Sequence, residues 1–531
     1  MSLGSSQRSD IPHTSNLIPL SSALSLQPLA LPLRSFLETF VGLCIAVSLV
    51  RGLATEGYMI STGSMAPTLV GYHRPATCPH CQYGFTRGSV PAAVRSTHAD
   101  ASTTADTLSE PARCPNCGTH FVTQQPRTEG DQLLVLKHAY DQRLPRRWEV
   151  VVFRNPSDPT EAYIKRVAGR PGETIAIRGG DVYADGQLCR KDFETQHAMR
   201  LPVADANHPA LTPTRWQCEP RWQRTAGTFT HDGPASAIRY RHAARSGGRH
   251  TTQVAIANWP TATPPDAPRL VYEDGVLHCL GVLPEDVRDR LLAMSAEESF
   301  HTAIRDLAMR SQVGYITDAT GYNSPGLRES QVRDLMWSGR VELAAGSRVD
   351  INLLYGRQPF VLTLTPSALS LSTLGSQGEP MLLESQARSL ATHEVCLSVF
   401  DRQLTVALDG EPVWQPVPFE ATPLTQKASR KPLTITASGR VVLSDVALWR
   451  DVYVTPPDVP EATVVLGPED LFMLGDNSPV SVDSRRWPVA AIPRRSLIGK
   501  PLVVHLPSRQ VPLPLVGPVR LPDVTKMRLV R

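Results

Sequence analysis

The sequence predicts a mainly β protein, and three observations predict it. Proline is frequent, 47 in 531 residues, while aromatic residues make up only 6%. That composition suits short strands joined by turns better than long helices. Seven short runs of strand type follow one another: Val341–Leu343, Val349–Leu354, Phe360–Thr365, Cys396–Phe400, Leu404–Leu408, Leu433–Ala437 and Val441–Leu448. Turn pairs such as Asp409-Gly410 and Ser438-Gly439 punctuate them, a spacing that suggests a β-sandwich. The length implies two to four domains. A net charge of +4 is too small for a nucleic-acid footprint, so no nucleic-acid partner is expected.

The elements follow in chain order. Residues 1–34 form an N-terminal tail. From Phe36 to Val50 the chain is predominantly apolar, interrupted by Glu38 and Ser48. Extended to Ala54, the run nears the ~20 residues that span a bilayer, with Arg51 able to snorkel to the interface. A transmembrane helix over 35–55 is expected. The long preceding tail and Arg51, where small residues would precede a cleavage site, disfavour a cleaved signal peptide. A buried core helix is the other alternative.

Just past this segment lies Ser61-Thr62-Gly63-Ser64-Met65-Ala66-Pro67-Thr68-Leu69, a small-residue turn carrying serines. Alone it reads as an ordinary turn. A second stretch, Tyr163-Ile164-Lys165-Arg166-Val167, alternates as a strand, which sets Lys165 on one face with Tyr163 and Val167. A third is Gly475-Asp476-Asn477-Ser478-Pro479-Val480-Ser481-Val482-Asp483-Ser484-Arg485. A serine hydroxyl becomes a useful nucleophile only beside a base. A lysine serves as that base once burial brings its pKa down from about 10.4.

In this order, behind an apolar segment, the three stretches resemble the boxes of bacterial type I signal peptidases, membrane-anchored Ser/Lys proteases. The resemblance covers roughly 34–70, 130–189 and 464–505. It implies a β catalytic domain in three parts, 56–76, 123–189 and 455–531. Ser64 would be the acylated nucleophile and Lys165 the general base. The Ser64 backbone N–H and the Thr62 hydroxyl would serve the oxyanion, Thr standing where the family often has Ser. Ser481 would orient the Lys165 amine, and Asp483 and Arg485 would form a supporting ion pair sharing one strand face. Val480 stands where many members have Asn, and Ser478-Pro479 where some have a charged pair. The resemblance further implies cleavage of exported preproteins after small residues in an A-x-A pattern. It implies no cofactor for the chemistry, and preproteins, their signal peptides and the lipid bilayer as partners. The location would be the bacterial inner membrane, crossed once, with the tail cytoplasmic and the catalytic domain on the periplasmic side.

Two interruptions stand out. Residues 77–122 contain Cys78-Pro79-His80-Cys81 and Cys114-Pro115-Asn116-Cys117. Two Cys-x-x-Cys turns can share one tetrahedral zinc, although the segment between them is longer than the usual ~15–20 residues. A structural zinc ribbon is expected, and two disulfides are the alternative. Residues 190–463 have no counterpart in compact family members. Within them, 190–313 is expected to be irregular, with helix around 284–309. Residues 314–454 are expected to form a sandwich that looks like concanavalin-like lectin and glucanase domains. A spacer or packing role is expected of it, and a glycan or a docking protein is the partner class of the alternative.

Overall fold

The computed structural model describes residues 35–45, 54–89, 110–155, 158–209, 214–243, 251–260, 269–311, 313–325, 327–375, 378–426, 428–457, 463–505, 508–513, 517–522 and 527–530. The chain divides into two compact units, Met1–Thr55 and Glu56–Arg531. In the first, residues 35–45 are helical, and Phe36, Leu37, Phe40, Val41, Leu43 and Ile45 are all exposed. At 1.5 Å per residue this helix is about 16 Å long, half the ~30 Å of a hydrocarbon core. No helix among the described residues is long and apolar enough to cross a membrane. The tail 1–34 and residues 46–53 of the expected anchor lie outside the described residues.

The second unit is built on an eight-stranded sheet. Its order is Thr55–Met59, Gln132–Leu136, Leu497–Val504, Val150–Arg154, Ala162–Gly169, Asp470–Leu474 and Ala491–Pro493, with Arg528–Leu529 added beside Leu497–Val504. Strands from 56–76, 123–189 and 455–531 therefore interleave in one sheet. Val150–Arg154 shows why it is stable. Val150 and Val152 join a core with Met65, Leu69 and Leu133. Val151 and Phe153 join another with Val167, Leu471 and Met473. Successive residues of a strand point to opposite faces, so an unbroken Val-rich run marks a strand buried on both sides.

A four-stranded sheet, Gln187–Leu188, Asp181–Ala184, Thr174–Arg178 and Val464–Val465, flanks this core. The turn at Gly169-Arg170-Pro171-Gly172 leads into it.

The long interruption contains two facing sheets of nine and seven strands closed on one core that includes Trp216, Trp337, Ile351 and Leu443. Strands Leu201–Asp205, Trp222–Thr225 and Thr228–His231 belong to the first sheet, and Trp216–Cys218 and Ser236–Tyr240 to the second. These strands lie inside 190–313, where irregular structure is expected from the sequence. They are three to five residues long. Polar residues such as Gln217, Arg224, Thr230 and Arg239 alternate with the buried ones, so each offers only one to three apolar residues to a periodicity test.

Residues 251–311 make a separate small module. It has three strands, Thr251–Ala255, Leu270–Glu273 and Val276–Leu280, and two helices, Glu285–Leu292 and Glu298–Ser311, around Leu277, Leu291, Phe300 and Ile304. The single helical stretch expected around 284–309 is thus two helices. Pro284 and the acidic pair Glu285 and Asp286 open the first, as the helix dipole favours. His301 takes up the carbonyls of Leu292 and Ser295 across the break.

Candidate active site

Ser64 sits in a turn that begins where the first strand ends. Met65 and Leu69 bury themselves in the sheet core, which pins the turn and leaves Ser64 at its rim. Lys165 is on the central strand Ala162–Gly169. That strand pairs with Asp470–Leu474 only as far as Arg166 opposite Leu474. At Lys165 the neighbouring chain is therefore the Gly475 segment and not a strand, which opens a gap that the Ser64 turn fills.

The two side chains meet there. Lys165 Nζ lies 2.6 Å from Ser64 Oγ. Lys165 is only 4% exposed. Burial pushes its pKa down to about 8, Asp483 pulling it upward and Arg485 downward. Thr62 Oγ1 lies 3.5 Å from Ser64 Oγ. The serine hydroxyl and the lysine amine thus stand in hydrogen-bond contact, with a second hydroxyl alongside.

The Gly475 segment closes the site from the other side. Asn477 N–H donates to the Ser64 carbonyl at 3.0 Å, and Asn477 Nδ2 donates to the Gly63 carbonyl at 2.8 Å. Gly475 has to be glycine. A Cβ there would come within 2.5 Å of the Ser64 carbonyl oxygen and 2.2 Å of Ser481 Oγ.

Asp483 and Arg485 make a two-pronged pair, 2.8 and 2.6 Å, with side chains 0% and 1% exposed. They occupy a turn and not the strand expected from the sequence. The neighbours of Asp483 explain the turn. One oxygen accepts from Gly475 N at 3.0 Å, and the other from Arg485 N at 3.2 Å. Burial disfavours the Asp483 carboxylate, but the hydrogen bonds and charge of Arg485 outweigh it and hold its pKa below the usual range. Ser478 belongs to this network, its hydroxyl accepting from Arg485 at 2.6 Å and from Thr455 N at 2.8 Å. The substituted loop pair is therefore fully integrated.

Ser481 differs from expectation. It is fully buried, and its hydroxyl faces the Asp483 carboxylate, whose pKa it helps to lower, with no hydrogen bond to Lys165. Lys165 directs its amine to Ser64 instead.

Three site residues carry no local sequence signal. Arg166 forms a buried two-pronged pair with Asp476, at 2.8 and 2.7 Å, and donates to the Trp148 carbonyl at 2.6 Å. Alternation alone places Arg166 on the face opposite Lys165 and cannot name its partner 310 residues away. Tyr322 and Asn323, from the long interruption, reach the Ser64 turn, Tyr322 against Gly63 and Asn323 through Asn477. Asn323 and Asn477 exchange side-chain hydrogen bonds at 2.7 and 2.8 Å.

The four cysteines Cys78, Cys81, Cys114 and Cys117 come together at the tips of two hairpins, His73–Thr77 with Gly84–Gly88 and Glu110–Arg113 with His120–Thr123. All four are buried, and their sulfurs lie within 4.8 Å of one another. Cys78 to Cys117 and Cys81 to Cys114 are each 3.6 Å. A disulfide requires about 2.05 Å. Four thiolates at 2.3 Å from one tetrahedral zinc sit ~3.8 Å apart. The donor set and its spacing fit zinc. With four protein ligands such a site is closed, and so structural.

The family model described as signal peptidase, peptidase S26, matches residues 123–224. Signal peptidase I of Leptolyngbya laminosa is 41% identical over 71 residues, 12% of this chain and 34% of that protein. Signal peptidase I of Pseudomonas aeruginosa is 42% identical over 72 residues, 11% and 25% respectively. Signal peptidase I V of Bacillus subtilis is 35% identical over 65 residues, 12% and 38%. The chain spans about a third of the length of the curated relatives it matches. Among solved structures, carbohydrate binding module CBM66 from Bacillus subtilis matches 44% of this chain and 94% of its own, at a TM-score of 0.22 and 5% identity. Sheep galectin-11 matches 22% and 92%, at 0.18 and 14%. Likenesses at such scores carry no argument.

Proposed function

We propose, from the premise that this chain belongs to the peptidase S26 signal peptidase family, that it is a signal peptidase I that removes signal peptides from exported preproteins. The observation that carries the proposal is the 2.6 Å contact between Lys165 Nζ and Ser64 Oγ, with the lysine pKa brought to about 8. Neutral Lys165 takes the Ser64 proton as Oγ attacks the scissile carbonyl. The oxyanion is met by the Ser64 N–H and the Thr62 hydroxyl. Lys165 then gives its proton to the departing amine, leaving the signal peptide esterified to Ser64. A water, deprotonated by the same amine, hydrolyses the ester. Buried Asp483 and Arg485 support the site by tethering Gly475 and so the backbone beside Ser64.

No cofactor takes part in these steps. Cys78, Cys81, Cys114 and Cys117 would hold one zinc with a structural role. The apolar segment 35–55 would anchor the enzyme in the bacterial inner membrane, with the catalytic domain on the periplasmic side. Cleavage would follow small side chains at the −1 and −3 positions. The test is cleavage of a synthetic preprotein by detergent-solubilised full chain, wild type beside Ser64→Ala and Lys165→Ala. We expect cut product after an A-x-A site for wild type and none for either variant. An inactive but folded wild type, or cleavage surviving Lys165→Ala, would overturn the assignment.

A further inference from the structure

The long interruption sends one loop, 316–325, back to the catalytic centre. Gly321 threads between Phe85 and Pro115 of the cysteine module, where a Cβ would come within 2.5 Å of the Phe85 ring. Tyr322 follows and is buried. Its carbonyl accepts from Gly88 N at 2.9 Å and Arg87 at 2.7 Å, and its hydroxyl donates to the Tyr72 carbonyl at 3.0 Å. Its ring packs on two glycines. A Cβ on Gly63 would lie 2.2 Å from the ring, and one on Gly88 2.4 Å. Gly63 is the residue before the nucleophile. Asn323 then pairs with the Asn477 amide, the group that holds the Gly63 carbonyl.

We propose that Tyr322 and Asn323 are positioning residues, supplied by the insertion, which set the Ser64 turn in register with Lys165. The proposal rests on the peptidase assignment above. Asn477 must present its Nδ2 end to the Gly63 carbonyl, because its oxygen end would face that carbonyl oxygen to oxygen. Asn323 removes the ambiguity by donating to Asn477 Oδ1 and accepting from its second Nδ2 hydrogen. Without Asn323, two polar atoms at a buried position lose their partners, and the Asn477 amide is held by the Gly63 carbonyl alone and is free to swing away from it. The Gly63 carbonyl then loses its strap, and Ser64 Oγ gains freedom at the 2.6 Å contact, where small displacements are costly in rate. The Tyr322 ring acts on the same turn by contact, filling the space above Gly63.

The experiment measures preprotein cleavage and acylation by a serine-reactive probe, using the full-length chain in detergent. The variants are Asn323→Ala, Asn323→Asp, Tyr322→Ala and Tyr322→Phe. For Asn323→Ala we expect kcat to fall about tenfold, with KM within twofold of wild type and the thermal midpoint lowered by no more than a few degrees. Asn323→Asp, whose carboxylate still accepts from Asn477 Nδ2 but sets its other oxygen against Asn477 Oδ1, recovers only part of that loss. Tyr322→Phe recovers most of what Tyr322→Ala loses, because it keeps the ring over Gly63. Should Tyr322→Ala fail to fold, the Asn323 pair and Tyr322→Phe still decide. Wild-type kcat in folded Asn323→Ala would overturn the proposal. So would a loss tracking a lowered midpoint that Asn323→Asp does not rescue. Wild type that neither cleaves nor takes up the probe would overturn the peptidase assignment, and this inference with it.

Discussion

At the scale of single residues, the proposed chemistry turns on the protonation of Lys165. Its amine must be neutral to accept the Ser64 proton, and burial places its pKa at about 8. Below that pH the ammonium form accumulates and the base is lost. We therefore expect kcat/KM to climb about tenfold per pH unit on the acid side and to level off above pH 8. A pH–rate profile checks this, and a limb whose midpoint lies below pH 6 would contradict it. Asp483 and Arg485 make a second prediction at this scale. Neither side chain reaches water, so Asp483→Asn leaves a buried guanidinium without its counter-charge. Breaking such a pair costs about 3–5 kcal/mol, which denaturant unfolding would register. An exposed pair would cost less than about 1 kcal/mol.

At the scale of elements, the cysteine module acts as a clamp. Arg87 binds the Tyr322 carbonyl and the Ser324 hydroxyl, and Arg113 pairs with Glu329 at 2.6 Å. On its other side, Asn116 accepts from Asp205 N at 2.7 Å, and Arg215 donates to the Pro115 carbonyl at 2.9 Å. The module thus lies between the nucleophile turn and the sandwich. Elemental analysis should find one zinc per chain, and none after Cys78→Ser with Cys114→Ser. Because ligand binding and local folding are one equilibrium in such sites, limited proteolysis should cut 316–325 faster in the double variant. Equal protection would show that the hairpins hold the loop without metal.

At the scale of the whole molecule, the interruption is joined to the catalytic domain through a buried charge cluster. Lys191 bonds Asp401 at 2.6 Å and Asp451 at 2.8 Å, with Asp181 and Asp334 close by. Lys191, with Arg402 acting on Asp181 and Arg333 on Asp334, does not offset the burial of Asp181, Asp334 and Asp451. Burial, with Asp401 beside it, raises Asp181 to about 7. Burial raises Asp451 to about 6, the Lys191 charge opposing. A carboxyl whose folded pKa exceeds its unfolded value of about 3.9 holds its proton longer when folded. Its contribution is full below that value and is lost as pH rises toward 7, at up to ~1.4 kcal/mol per pH unit per proton. Buried His242, whose pKa is held well below 6.5 by burial and by Arg215, works in the opposite sense. The clean comparison is therefore Asp181→Asn against wild type. We expect the variant to gain stability relative to wild type between pH 5 and 8, and a constant difference would refute this.

Much of the site was legible in the chain because it is local. The Ser64 turn, the alternation around Lys165 and the Gly475–Arg485 segment each carry their chemistry within a dozen residues. The two Cys-x-x-Cys turns likewise announce their ligands, and the strand pattern after residue 341 announces a β architecture through a period of two. Only the tertiary structure decided which distant groups complete these elements. It turned Asp483 and Arg485 into a buried turn tied to Gly475. It directed Lys165 to Ser64 and not to Ser481, and it paired Arg166 with Asp476. It drew the short strands between 201 and 240 into the sandwich, and it brought Tyr322 and Asn323 to the nucleophile. The physical reason is the same in each case. Periodicity and turn chemistry act over a few residues, whereas burial, charge neutralisation and amide orientation depend on partners that folding brings in from hundreds of residues away.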